Sequence, residues 1–167
     1  MNWTALGLVD VPQAVRSELG LPDPPTGDLG EFQPRYAAAE RTVWRYARAM
    51  AAVPDGTRAR QHLTDGWPAM RERLDRLGYL CVHGALATGE APRRREGVRL
   101  SRRQRLSPRQ RHLHNVHSGL LVLERATDAA VAIAVEVALA GPESDQSTVD
   151  DAVAALTNAL DELRSYG

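Results

Sequence analysis

A chain of 167 residues with 43% apolar and 25% charged residues has the size and balance of one globular domain with a core of its own. Its 21 basic residues, all of them arginine, offset 21 acidic ones, and zero net charge excludes a general attraction for nucleic acid or an acidic membrane. The charge is unevenly spread: residues 93–123 hold nine Arg against one Glu, and residues 124–167 hold two Arg against nine acids, so the middle is basic and the tail acidic.

In chain order, residues 1–33 form an arm punctuated by Pro12, Pro22, Pro24 and Pro25. One short helix is expected after Asp10 and Pro12, on Val11, Val15 and Leu19, and the rest of the arm should be extended. Pro34 suits the first turn of the next helix, where Ala39, Val43, Ala47 and Met50 make an apolar stripe and Arg41, Arg45 and Arg48 take another face. Pro54, Asp55 and Gly56 close it. A brief segment at 58–63 is expected to be interrupted by Thr64, Asp65 and Gly66, with Trp67 and Pro68 opening a new helix to about Ala87. Met70, Leu74, Leu77, Cys81, Gly84 and Thr88 follow its stripe, and Glu72 and Arg76 stand at pairing distance on its surface.

Residues 89–106 hold seven arginines and few apolar residues, which predicts a long exposed connection. Ser107, Pro108, Arg109 and Gln110 then spell a capping box: Ser caps, Pro fits the first helical position, and Gln returns a bond to the cap's own amide. The helix that starts here buries Leu113, Val116, Leu120, Leu123, Ala130, Ala134 and Val137, turns His114, His117, Arg125, Asp128 and Glu136 away, and stops at Gly141 and Pro142. A competing pattern runs through the same stretch. Val131, Ile133, Val135, Val137 and Leu139 alternate at a period of two, so 119–125 and 130–140 can also be read as a hairpin in an α+β fold. The alanine content favours helix. A last helix, capped by Ser147, carries Val149, Val153, Leu156, Leu160 and Leu163 on a narrow stripe and Asp150, Asp151, Asp161 and Glu162 outside it. The expected fold is all-α: an antiparallel bundle of four main helices in residues 34–167, with the Pro-rich arm 1–33 laid across it and the Arg-rich connection between its halves.

The single cysteine, Cys81, sits in an apolar stripe, and residues 1–10 lack the basic start and apolar run of a signal peptide. A cytoplasmic protein with no membrane attachment is expected. Cys81 and His83 are two residues apart and point to different sides of a helix, so no activated nucleophile is formed. No phosphate-binding glycine loop is present. Trp3, Trp44 and Trp67 each suit the anchoring of a segment.

Two clusters carry chemistry. His112, His114 and His117 crowd the start of the fourth helical pattern, with Glu124 and Asp128 further along. His114 and His117, joined by His62 or His83 from a neighbouring helix, have the composition of a divalent metal site inside a bundle. The order His62, His114, His117 loosely resembles the DinB and YfiT-like metalloenzyme superfamily, four-helix bundles in which an early helix gives one His and a later one gives two. The resemblance implies a bound divalent metal with an open position for water, although this chain has His-x-x-His where that superfamily usually has His-x-x-x-His. The second cluster is Arg93, Arg94, Arg95, Arg99, Arg102, Arg103 and Arg105, whose forked guanidinium groups suit an anionic partner. They suit phosphate or nucleic acid as well, without an aromatic residue or recognition motif for bases. The leading expectation is a non-catalytic helical module, free of cofactor, that binds a protein partner or a second copy through charged faces. The alternatives are the metal-dependent enzyme and phosphate or nucleic-acid binding through the arginines.

Overall fold

The computed structural model describes residues 13–90, 101, 105–140 and 146–165. Among them the chain is helical, with no strand: α1 (Gln13–Leu19), a 3-10 turn (Gly30–Phe32), α2 (Gln33–Ala52), α3 (Arg58–Leu86), α4 (Pro108–Ala140) and α5 (Gln146–Ser165). The α4 helix packs on α2, α3 and α5, and α3 also packs on α2 and α5. No described helix is long and apolar enough to cross a membrane.

The capping box forms as the sequence predicts. Gln110 N–H donates to Ser107 Oγ at 3.2 Å and Ser107 N–H to Gln110 Oε1 at 2.8 Å, so two amides at the start of α4 are satisfied reciprocally. From there α4 runs unbroken for 33 residues, and helix, not hairpin, is the conformation of 119–140. Of the alternating residues that suggested strands, Ile133 is buried while Val135 and Leu139 are exposed, so the period of two follows no buried face. Gly141 and Pro142, the expected stop, lie outside the described residues.

One expectation fails. Thr64, Asp65 and Gly66 do not interrupt the chain, and α3 continues for 29 residues from Arg58 to Leu86 with Pro68 inside it. The cap that starts it is Thr57, whose Oγ1 accepts from Arg60 N–H at 3.1 Å. Thr64 Oγ1 donates back to the Arg60 carbonyl at 2.9 Å, and Gln61 donates to Asp65 Oδ1 at 2.7 Å, so both polar side chains are satisfied on the helix. Gly66 is a packing seat. A Cβ there would lie 2.5 Å from Tyr46 Oη and 2.6 Å from Leu160 Cδ1, so its bareness brings α2 and α5 close to α3. A proline in a helix interior costs about 3 kcal/mol. Burial of Leu63 and Met70 on either side, worth about 1.5–3 kcal/mol each, offsets it.

The described part of the arm holds the expected short helix, α1, followed by residues 21–29 without helix or strand and the 3-10 turn that leads into α2, and it is packed into the core. Leu21, Leu29 and Phe32 are buried in the common core with Tyr36, Val43, Leu74, Leu77, Val116 and Leu123. Buried Arg16 on α1 pairs with Glu40 on α2 and donates to the Pro22 carbonyl at 3.2 Å. Trp67 Nε1 donates to the Leu19 carbonyl at 3.2 Å, and its ring stacks on Tyr46 with centroids 6.0 Å apart, so this tryptophan anchors α1 to the rest. Trp44 is half-buried against the core, and Trp3 lies outside the described residues. On α5, Val153, Leu156, Leu160 and Leu163 are buried as their spacing predicts; the helix opens at Gln146, so Ser147 falls within its first turn.

Candidate functional site

Three side-by-side helices of unequal length leave one seam incompletely covered. With 20 residues against 29 in α3 and 33 in α4, α5 spans only part of the junction between them. Its level is fixed by three contacts: Leu160 lies against Gly66 of α3, the Leu163 carbonyl accepts from Arg73, and Glu162 pairs with Arg125 of α4 at 2.7 Å. Beyond Arg73 and Arg125, towards the end of α3 and the start of α4, no described helix fills the groove.

Arg73 marks the boundary. It occupies a core register, three residues after Met70 and four before Leu77, and is buried. Its guanidinium donates to the Leu163 carbonyl in the last described turn of α5. Burial, and then the neighbouring Arg76 cation, lower its pKa while Glu72 opposes them. The guanidinium remains charged at neutral pH.

Past this residue lies a cleft of about 420 Å³ lined by Arg73, Arg76, Leu80, His114, Asn115, Ser118 and Gly119. Its walls are the side of α3 that continues the row Ala69 to Leu80 and the side of α4 that continues the row facing α5. No carboxylate lines it. Arg76 and His114 are exposed, Asn115 and Ser118 are half-buried hydrogen-bonding groups, and Leu80 gives apolar contact. Gly119 sits against Leu77, where a Cβ would come within 2.7 Å of Leu77 Cδ2, which holds the two helices close at the floor. Arg76 makes no ion pair with Glu72 or with any other described carboxylate. A second, smaller cleft of about 120 Å³ adjoins it at the end of α5, lined by Ala69, Glu72, Arg73, Arg76, Leu163 and Arg164. On the solvent face of α3, Tyr79 is 63% exposed and Leu86 is 80% exposed, and the Tyr79 ring leans on that of His83 with centroids 4.0 Å apart.

Of the histidines considered as metal ligands, His62 is not brought to His114 and His117, while His83 stands on α3 near the level of His114 with its ring against Tyr79. Gly84 abuts His112 and Leu77 abuts Gly119, which sets His114 level with about residue 82 of α3. His62 is then roughly twenty residues, or about 30 Å, further along the helix axis. Among the described residues no group of three His, Cys, Asp or Glu side chains is placed to hold a metal ion. Asp128 instead pairs with Arg45 of α2 at 3.2 Å. His114 is a wall of the groove, and His117 is exposed on the neighbouring face of α4.

Of the arginines in the connection, Arg93, Arg94, Arg95, Arg99, Arg102 and Arg103 lie outside the described residues. Arg105 is exposed, and its backbone N–H donates to the Ser101 carbonyl at 3.2 Å. Cys81 is a buried core residue, and burial pushes its thiol up to about 11, so it offers no thiolate at neutral pH. Sequence reasoning missed Arg73, Arg76, Asn115 and Ser118 as a set. The one signal it held was a charged residue, Arg73, in the apolar register of α3. Comparison of the chain with models of protein families, with curated proteins and with solved structures finds no match.

Proposed function

We propose that this chain is a non-catalytic helical interaction module, an antiparallel four-helix bundle that binds a protein partner in the α3 and α4 groove beyond the end of α5. The bundle reading is supported by the order of contacts. Tyr36 meets Gly78 while Tyr46 meets Leu63, and Gly84 meets His112 while Leu77 meets Gly119, each pair running in opposite directions along its two helices. The observation that carries the functional reading is the open groove itself. The seam that accepts the apolar stripe of α5 continues past Arg73 with a floor of Leu80 and Gly119 and polar walls, a surface shaped for another helix. Phosphate binding through residues 93–105 remains an expectation of the sequence alone, since six of those seven arginines lie outside the described residues.

A photo-crosslinking amino acid placed at Ser118, in the groove, and separately at exposed Asp55, at the opposite end of α3, tests the reading in the cells that make the protein. Discrete adducts with the same partner are expected from position 118 alone, and an Arg76→Glu substitution should diminish them. No adduct from position 118, or the same adducts from both positions, would refute it.

A further inference from the structure

The groove also specifies the chemistry of its occupant. Resting on the reading of the chain as an interaction module, we propose that the partner segment is an acidic amphipathic helix of about three turns, seated end to end with α5. The seam already holds one helix of that description: α5 buries Val153, Leu156, Leu160 and Leu163 and carries Asp150, Asp151, Asp161 and Glu162 on its flanks, and Glu162 engages Arg125 from α4. Past the last described turn of α5 the lining carries the Arg76 guanidinium on one side and the His114 imidazole on the other, with Arg73 at the near end and no carboxylate. Arg111, exposed one turn before His114 and Asn115, adds a cation to that side of α4. From Arg76 to Leu86 the open length of α3 is about 15 Å, the rise of ten helical residues. Leu80 and Gly119 on the floor call for an apolar side chain between the carboxylates. That requirement separates a helix from a free phosphate or a nucleic-acid strand, which would leave the apolar floor uncovered.

A phage-displayed library of helical 14-residue peptides with randomised surface positions, selected on the full chain, supplies the probe. Sequences with Glu or Asp flanking Leu or Val at helical spacing should be enriched. Their affinity should fall about tenfold or more on an Arg76→Glu, His114→Glu double substitution, two exposed positions, with helical content by circular dichroism unchanged. Enriched helices that are neutral or basic and still lose binding to the double variant would overturn the acidic specificity while leaving the groove as a docking site. Failure of any peptide to discriminate between the two proteins would overturn both readings. Competition by a scrambled acidic peptide or by single-stranded DNA as strong as by the selected peptide would show a nonspecific anion surface and also overturn the proposal.

Discussion

Replacing Gly84 by alanine adds a methyl group to the interior of α3 and, by helix propensity alone, should stabilise the chain by about 1 kcal/mol. The packing around it reverses the sign. An added Cβ would fall on the ring of Phe32, which is fully buried beneath the crossing of the arm with α3, and 2.9 Å from His112 Cβ on α4. The His112 Cβ is fixed to the backbone and the Phe32 ring has no solvent to turn into, so α3 and α4 must separate. Overpacking of this kind costs about 1–3 kcal/mol, which leaves a net loss of up to about 2 kcal/mol after the propensity gain. Urea denaturation followed by circular dichroism reads the difference directly. A double-mutant cycle with Phe32→Leu, which removes the atoms in conflict, should return about 1 kcal/mol of favourable coupling. A Gly84→Ala protein more stable than its parent, with no coupling to Phe32, would refute the reasoning and with it the close approach of α3 and α4 at the groove's far end.

Ser107→Ala removes the acceptor for Gln110 N–H and should cost about 1 kcal/mol in the same assay; no change would mean that the capping box does not set the start of α4. Arg125→Ala breaks a pair with Glu162 whose arginine is 60% exposed, so its cost should stay under about 1 kcal/mol and shrink further in high salt. The buried thiol of Cys81 is raised from its ordinary 9.0 to about 11, so the folded chain holds that proton more tightly than the unfolded one. Its contribution to stability is therefore complete below about pH 9 and is lost as the pH rises towards 11. Burial also raises the hydroxyls of Tyr36 and Tyr46, which adds to the alkaline loss. A Cys81→Ala protein should lose stability less steeply between pH 9 and 11, and a slope identical to the parent's would contradict the assignment.

Local signals survive folding where their satisfaction is local. The Ser107 to Gln110 box needs only four residues, and the stripe of α5 needs only one apolar neighbour, so both are read from the sequence and found in the structure. The break expected at Thr64, Asp65 and Gly66 was a local signal overruled from a distance, because the space left by Gly66 is filled by Tyr46 and Leu160, 20 residues before it and 94 after it. The metal reading was compositional. Spacing along α4 brings His114 and His117 within a turn of each other but says nothing of the level at which His62 stands on α3. The groove is hidden for the same reason, since it depends on the level at which α5 packs on α3 and α4, set by Arg73, Gly66 and Arg125. Neither fact is written in any one segment.

Hydrogen exchange on the full chain, with and without a peptide selected on the groove, is the most direct test of where the partner sits. Slowed exchange is expected to be confined to amides of α3 between 76 and 86 and of α4 between 108 and 121, with α2 and residues 132–140 of α4 unchanged. Protection centred instead on the exposed Val135 and Leu139 end of α4, or spread evenly over the molecule, would contradict it.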